Sequence, residues 1–410
     1  MNVWGWVVLA ALVVDFALAR LADALNVRAF GRSVPPELRD VYDAARHRRV
    51  VAYVRDRTRF GALLAGVELA ALLAFWFAGG FGALDRAVRA VGLGPVGTGL
   101  LFVGALGLAR IALGLPFRWW STFQIEERHG FNRTTPRVFW ADLAKGLVLA
   151  LVLGGPFLAA VLWLFQVAGP RAWLWCWLAA ALWTLGVQYV APTWILPLFN
   201  RFTPLPDGTL REAILGYART VDFPLAGVFV IDGSRRSTKA NALFTGFGRR
   251  KRIALFDTLV DALEPPEVVA VVAHEVGHYK RGHVLQGTAL GIVQTGVLFL
   301  LLSLLLATPA VFAAFGVAEP SVHAGLVLFA LVLAPIEVVL AVALQAWSRR
   351  NERQADAYAV ATTGAGAKLA AALARLSTDS LAHPTPHPLY VALHYSHPPL
   401  GERLRALRSS

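Results

Sequence analysis

The stretch His274-Glu275-Val276-Gly277-His278 places two histidines four residues apart, with a glutamate directly after the first. On an α-helix, side chains four residues apart lie on the same face, so both imidazoles can reach one metal ion. Glu275 would point toward the open position of that metal, where a carboxylate can take a proton from water and pass it to a leaving amine. The pattern is typical of a zinc-dependent peptide hydrolase.

The residues before this motif predict a helix that is buried on most sides. Pro265, Pro266 and Glu267 are typical of a helix start, because proline fits the first turn and an acid is favourable near the positive end of the helix dipole. The run 268–273 is entirely apolar. The motif's spacing also arises by chance on ordinary helices, but a buried helix must give these polar groups a partner, which a metal ion provides. Gly277 leaves room for another backbone or for a substrate.

A catalytic zinc ion needs a third protein ligand, and the best candidate lies further along the chain. Glu352 and Asp356 are four residues apart within 351–359, so on a helix both carboxylates face the same way. We expect Glu352 to bind the metal and Asp356 to hold a ligand histidine by its second ring nitrogen. A solvated helix carrying a charge cluster is the alternative explanation. Weaker ligand candidates are His283, His383, His387 and His394.

Apolar residues fall into long blocks along the chain. Of the 410 residues, 57% are hydrophobic and 16% are charged, which excludes an ordinary soluble globular protein. Blocks of about 20 apolar residues are long enough to cross a bilayer as helices. We therefore predict a mostly α-helical, polytopic membrane protein with seven transmembrane helices. They cover roughly residues 3–24, 60–80, 97–117, 146–168, 172–196, 285–308 and 322–347.

The distribution of arginine predicts the orientation in the membrane. Arginines crowd the connections after the first and third segments, whereas the connections after the second, fourth and sixth hold few or none. By the positive-inside rule, the N-terminus lies outside, and the histidine motif and the C-terminus face the cytoplasm. The net charge of +13 then reflects contact with anionic lipid headgroups, and nucleic acid is not an expected partner. The excess of arginine over lysine suggests a bacterial source, and hence the cell inner membrane.

Two polar regions are long enough to fold outside the membrane. Because the metal ligands are divided between them, both must dock to form one small α+β catalytic domain on the cytoplasmic side. A strand is predicted at 227–231 and a hairpin at 241–247 and 252–256. An exposed edge of this hairpin would hold a peptide, with Asn241 either binding the substrate main chain or only capping a turn. The predicted divisions are transmembrane helices 1–5 (1–199), the first catalytic region (200–283), transmembrane helices 6–7 (284–348) and the second catalytic region (349–410).

Charged residues inside the apolar blocks need an explanation, because each would be costly against lipid. Pairing between helices is one explanation, and a water-filled cavity within the membrane is the other. The lone cysteine, Cys176, excludes an intrachain disulfide bond. The charged residues concerned are Asp15, Glu68, Arg110 and Glu337.

Several further motifs occur in a characteristic order. They are residues 121–132, 197–205, 233–237 leading to Asn241, and 394–404. Together with the HEXXH motif at 274–278, they resemble the type I CAAX prenyl proteases, which are integral-membrane zinc metallopeptidases of the gluzincin group. The resemblance runs from about residue 30 to the C-terminus.

The resemblance implies seven helices that enclose a large water-filled chamber, with one zinc ion at its cytoplasmic end. It implies that His274, His278 and Glu352 bind the zinc and that Glu275 is the catalytic base. Asp356 would support the site and, in such proteins, is often described as a proton donor. Three residues would hold the substrate backbone or the developing oxyanion: Asn241, His397 and Arg403.

These expectations combine into a monomeric, integral-membrane zinc metalloendopeptidase whose substrate is a peptide or membrane protein, with or without a prenyl group. Relatives that act on prenylated peptides cut after an isoprenylcysteine, and a bacterial cell is not expected to hold such substrates. Residues 381–388 are rich in proline and histidine where many relatives have an acidic loop. The rival hypothesis is a membrane channel, transporter or lipid-binding protein with a structural zinc site. Such a site would normally be closed by four protein ligands.

Overall fold

Seven long apolar helices and a small sheet-containing domain make up the computed structural model, which describes residues 1–31, 34–245 and 251–408. Within these residues, seven helical segments are long and apolar enough to cross a membrane, which confirms the number predicted from sequence. The segments are Val3–Gly31, Ala44–Phe77, Gly94–Glu126, Pro136–Val167, Gly169–Phe199, His283–Leu306 and Val322–Thr363.

The helical segments are built from α-helices, some of which continue as other helical turns. π-helical turns at Ser121–Glu126, Ala150–Gly154 and Ala191–Ile195 extend three of them, and short 3-10 turns lie at Ala29–Gly31, Pro36–Leu38, Gly169–Arg171 and Gly233–Arg235. In chain order the α-helices are α1 (Val3–Arg28), α2 (Ala44–Phe77), α3 (Gly80–Ala90), α4 (Gly94–Trp120), α5 (Pro136–Leu149), α6 (Gly155–Val167), α7 (Ala172–Val190), α8 (Leu196–Phe199), α9 (Thr209–Thr220), α10 (Asp257–Ala262), α11 (Pro265–Lys280), α12 (His283–Leu306), α13 (Pro309–Ala314), α14 (Val322–Thr363), α15 (Gly366–Asp379), α16 (Pro388–His394) and α17 (Leu400–Arg408).

The basic residues expected in the first connection lie largely on a helix. α2 begins at Ala44, where the Asp43 side chain accepts a hydrogen bond from the backbone N–H of Arg46. Because this cap lies before Arg46, the helix that contains most of the predicted segment 60–80 begins earlier than predicted and includes the basic stretch 46–59. At 34 residues, α2 is about 51 Å long, so its basic end extends beyond a hydrocarbon core of about 30 Å.

α14 runs without a break through the predicted boundary at 348/349. It has 42 residues, or a length of about 63 Å, which is roughly twice the thickness of the hydrocarbon core. Pro335 lies inside it, and membrane helices tolerate proline because neighbouring groups satisfy the carbonyl that it leaves free. The C-terminal end of α14 carries Glu352 and Asp356, so one continuous helix connects the membrane-spanning region to the sheet-containing domain.

A four-stranded sheet forms one layer of the domain outside the seven apolar helices. Its strands are β1 (Phe202–Pro204), β2 (Leu225–Ile231), β3 (Ala242–Thr245) and β4 (Lys251–Phe256), in the order β1-β2-β4-β3. β3 and β4 pair antiparallel, which confirms the hairpin, although its predicted residues 246–250 lie outside the described ones. β2 pairs parallel with β4, and β1 pairs antiparallel with β2. The sequence analysis missed β1, in which Pro204 is compatible with a strand at the sheet edge.

The core of this domain is built from both polar regions of the chain. α11 packs against α9 from the first region and against α14 and α15 from the second, while α17 packs on α15. Leu255, Val272 and Leu404 are fully buried members of one apolar cluster. Burial of such side chains contributes roughly 1.5–3 kcal/mol each, which stabilises the docking of the two regions.

The proline- and histidine-rich segment 381–388 packs against the end of α1. His383 Nε2 donates a hydrogen bond to the Asn26 carbonyl oxygen over 2.9 Å, and the ring stacks on Phe30 with 3.7 Å between ring centroids. Burial lowers the pKa of His383 to about 4, so the ring is neutral at physiological pH. His387 also contacts Asn26, through its backbone N–H. These two histidines join elements that are distant in sequence.

Candidate active site

The helix that carries the histidine motif begins where the sequence predicts it. α11 starts at Pro265 with a capping box, in which the Glu264 backbone N–H donates to Glu267 Oε2 over 3.0 Å. His274 is buried in this helix, and the side chain of His278 is 22% exposed. α11 therefore holds one imidazole inside the domain and leaves the next partly exposed.

Three side chains from α11 and α14 converge on one point. His274 Nε2 and His278 Nε2 lie 3.3 Å apart. The Glu352 carboxylate lies 3.4 Å from His274 Nε2 through Oε2 and 3.2 Å from His278 Nε2 through Oε1. These are the residues that together could hold a metal ion. Ligands about 2.0–2.1 Å from a tetrahedral zinc ion lie about 3.3 Å from one another, so the triangle has the dimensions that zinc requires.

The Glu352 carboxylate carries a second indication of a missing partner. Its Oε2 atom is buried and accepts no hydrogen bond from any residue in the described part of the chain. A buried carboxylate oxygen without a partner is strongly unfavourable. Two imidazole nitrogens and one carboxylate form a ligand set that suits zinc and leaves the fourth position of a catalytic site open.

Asp356 lies behind His274, on the side opposite the converging atoms. Its Oδ1 atom is 2.8 Å from His274 Nδ1. Burial would lower the pKa of His274, but the carboxylates of Asp356 and Glu352 outweigh it and raise that pKa to about 9. At this distance the carboxylate favours a proton on Nδ1 over one on Nε2, which leaves Nε2 free to bind a metal.

The guanidinium group of Arg403 is hydrogen-bonded to Asp356. Its Nε donates to Asp356 Oδ2 over 2.8 Å and its terminal nitrogen donates to Oδ1 over 2.6 Å, and both side chains are buried. Another terminal nitrogen of Arg403 lies 3.8 Å from Glu352 Oε2. The resemblance implies a substrate-binding role for Arg403, whereas these contacts give it a role in holding the residue that orients His274.

Among the residues that the structure describes, Glu275 has no polar partner of its own. Its carboxylate forms no hydrogen bond or ion pair with any described residue, although it follows His274 directly on α11. Burial raises the pKa of Glu275, against the opposing influence of His274 and His278. A carboxylate with a raised pKa and no competing partner is suited to accept a proton.

Asn241 and His397 are both more exposed than the three converging side chains, and only His397 contacts one of them. Asn241 is exposed at the start of β3, where its Oδ1 accepts from the Ala242 N–H and its backbone oxygen accepts from the Phe256 N–H. β3 is the outermost strand on its side of the described sheet. His397 has a side chain that is 60% exposed, and its Nε2 lies 3.4 Å from Glu352 Oε1.

Gly277 allows α11 and α14 to approach closely. A Cβ atom at this position would lie 3.1 Å from the Ala355 Cα and oxygen atoms and 3.2 Å from the Tyr358 Cβ. The absent side chain therefore makes room for the helix that carries Glu352. Of the two explanations for Gly277, close approach of another backbone or of a substrate, the structure shows the first.

Gly277→Val is expected to destabilise the protein by about 1–3 kcal/mol and to lower its zinc content, because the added methyl groups push Glu352 away from both histidines. Thermal unfolding and metal analysis of purified protein would measure both effects. Gly291→Val is the matched control, since a Cβ atom at Gly291 in α12 meets nothing within 4 Å. Full zinc content in Gly277→Val would contradict the steric argument.

A polar cluster that the sequence did not reveal gives motif 121–132 a physical role. Glu126 accepts hydrogen bonds from the Tyr53 hydroxyl over 2.8 Å and from Lys239 Nζ over 2.9 Å. Lys239 Nζ also donates to the Tyr53 hydroxyl over 2.7 Å. Lys239 lies two residues before Asn241, so the cluster ties the start of β3 to two membrane helices. Its members come from three distant stretches, and no local pattern marks them as partners.

Arg236 makes a second connection of the same kind. Its Nε and one terminal nitrogen donate to both Asp142 oxygens over 2.8 and 3.0 Å. It also donates to the carbonyl oxygen of Phe199 and to Asn200 Oδ1. Motif 233–237 thus anchors the catalytic domain on α5 and the end of α8.

The comparisons with known proteins cover the whole of this architecture. Residues 23–201 match the family described as CAAX prenyl protease N-terminal, five membrane helices, and residues 204–410 match peptidase family M48. The CAAX prenyl protease 1 homolog of Arabidopsis thaliana is 41% identical over 298 residues, which cover 72% of this chain and 69% of the relative. The homolog from Homo sapiens is 33% identical over 425 residues, covering 92% and 89%. The crystal structure of S. mikatae Ste24p matches with a TM-score of 0.94 at 31% identity, over 99% of both chains.

Proposed function

The chain belongs to peptidase family M48 and, with its seven apolar helices, is an integral-membrane metalloprotease, and we propose that His274, His278 and Glu352 hold one zinc ion and that Glu275 is the general base. The observation that carries this proposal is the triangle of ligand atoms with edges of 3.2–3.4 Å, one corner of which is a buried carboxylate. When bound, zinc would polarise the scissile carbonyl and acidify the attacking water.

The protein groups would manage the proton and the peptide. Glu275 would take a proton from the water as its oxygen bonds to the carbonyl carbon, and would deliver that proton to the leaving nitrogen as the C–N bond breaks. The exposed edge of β3 would hold the substrate backbone extended, with Asn241 at its start. His397, exposed beside Glu352, would donate to the developing oxyanion. Asp356 would hold the orientation of His274.

For the substrate, we propose a peptide that carries a prenylated cysteine near its C-terminus. Support comes from the names of the relatives, which are CAAX prenyl proteases from plants and mammals. The arginine distribution supports a site at the cytoplasmic face of the membrane.

A water-filled interior between the helices is supported by two observations. All four charged residues of the apolar blocks lie in membrane-spanning segments, yet none forms a hydrogen bond or ion pair with a described residue, so pairing between helices does not explain Asp15, Glu68, Arg110 or Glu337. In the most apolar parts of Ala44–Phe77 and Gly94–Glu126, only 6% of the residues are buried. Helices packed around a solid core would bury far more. The channel or transporter hypothesis is not favoured, because it gives no role to Glu275.

Cleavage of a farnesylated peptide and of its unmodified twin would test the proposed function. We expect the farnesylated peptide to have a kcat/KM at least about tenfold higher, because burial of each CH₂ group contributes about 0.8 kcal/mol. Activity should disappear with a chelator and return with zinc. Equal cleavage of both peptides would contradict the prenyl specificity, and chelator-resistant cleavage would contradict the metal site.

A further inference from the structure

A third histidine packs against the outer side of His278. α11 ends at Lys280, and Gly282, with a φ of 70°, reverses the chain so that His283 becomes the first residue of α12. A residue with a Cβ atom is strained in this left-handed conformation. The turn places His283 Nδ1 3.0 Å from His278 Nδ1, and His283 is buried.

The second nitrogen of His283 reaches the helix that carries the third ligand. His283 Nε2 lies 3.0 Å from Gln354 Oε1, and Gln354 lies two residues after Glu352 on α14. These contacts form a continuous hydrogen-bonded chain from the imidazole of His278 to the amide of Gln354.

The donor-to-acceptor direction of these hydrogen bonds decides whether His278 can bind a metal through Nε2. When Gln354 Oε1 accepts, His283 carries its proton on Nε2 and presents a lone pair at Nδ1. That lone pair accepts the Nδ1–H of His278, which leaves the Nε2 lone pair of His278 facing His274 and Glu352. If the amide of Gln354 donated instead, every proton would shift along the chain and His278 Nε2 would carry a hydrogen.

We propose that His283 and Gln354 are positioning residues that fix His278 in its metal-binding tautomer. The inference rests on the proposed metal site and adds two residues to it. The two imidazole ligands are then held differently, since His274 faces the anionic Asp356 whereas His278 faces a neutral relay. A neutral acceptor fixes the orientation of the ring without adding a second carboxylate behind a ligand histidine. The negative charge of such a carboxylate would reduce the ability of the metal ion to polarise a substrate carbonyl.

The affinity of metal-free protein for zinc, measured by competition with a chromogenic chelator, tests the relay without using activity. His283→Leu removes the acceptor and should raise the zinc dissociation constant about 10–100-fold. His283→Asn keeps an acceptor oxygen close to the position of Nδ1 and should recover most of the loss. An unchanged affinity in His283→Leu, or no recovery in a folded His283→Asn, would overturn the relay.

Changes at Gln354 give opposite expected results and do not depend on His283 variants folding. Gln354→Glu can only accept and should bind zinc at least as tightly as the unmodified protein, whereas Gln354→Lys can only donate and should bind it more weakly. Ala357→Glu and Ala357→Lys place the same charges nearby on an exposed part of α14, and should show a much smaller difference. Equal differences at 354 and 357 would show a pure charge effect and overturn the relay. Lack of stoichiometric zinc in the unmodified protein would instead contradict the proposed function.

Discussion

Glu275→Gln is expected to lower kcat by about 10²–10⁴-fold while zinc stays bound at one ion per chain. Glutamine has the shape of glutamate but cannot take a proton from water. The Glu275 carboxylate is not among the three groups that converge on the metal position, so its loss leaves the ligand triangle complete. Turnover of a farnesylated peptide and metal analysis of the same purified sample would measure both quantities.

Asp261→Asn provides the control for this acid-to-amide change. Asp261 is exposed on α10, the helix before α11, and should keep full activity. If Glu275→Gln turned over at the rate of the unmodified protein, another group would have to be the base. If it lost its zinc, Glu275 would belong to the metal's binding site and the proton-transfer role would be unsupported.

The membrane helices could be predicted because their signal is local. A block of about 20 apolar residues indicates a spanning helix without knowledge of its neighbours, and all seven predicted blocks fall within the seven observed segments or overlap them. The ends were less accurate, because polar residues such as those of 46–59 and 348–363 continue the same helices beyond the lipid. Apolar composition therefore predicts the part of a helix inside the lipid, whereas the capping residues determine where the helix itself begins.

Which side chains share a helix face could also be predicted, since four-residue spacing on a helix fixes this. That rule placed His274 with His278 and Glu352 with Asp356, and the helices α11 and α14 both exist. The rule says nothing about contacts between helices. The partners of Asp356, Glu126 and Gln354 come from other elements, and their pairing depends on how the chain folds rather than on any local pattern.

The pair formed by Arg403 and Asp356 shows where resemblance and structure suggest different roles. By resemblance, Arg403 holds substrate or oxyanion. Its buried, bidentate contact with Asp356 gives it the task of orienting a carboxylate that in turn orients His274. The two roles predict different effects of removing Arg403. Loss of an oxyanion donor lowers kcat, because such a group acts only in the transition state, whereas loss of a positioning residue lowers stability and zinc affinity, because it acts on the resting site.

Arg403→Met is therefore expected to reduce the free energy of unfolding by about 3–5 kcal/mol, because it leaves the Asp356 carboxylate buried without its cationic partner. Zinc affinity should fall as well, since His274 loses its fixed orientation, and Arg403→Lys should recover only a fraction of both losses because lysine cannot donate in a bidentate manner. Thermal unfolding of zinc-free protein and chelator competition would measure these changes.

Arg405→Met is the matched control two residues further along α17. Arg405 is 65% exposed and pairs with Glu37 at the surface, where such a salt bridge contributes about 0–1 kcal/mol. It should therefore change neither stability nor zinc affinity appreciably. If Arg403→Met kept its stability and zinc affinity but lost kcat at an unchanged KM, Arg403 would act on the transition state. A loss of stability and metal affinity would instead place it with Asp356, as the outermost group that holds the zinc ligands in position.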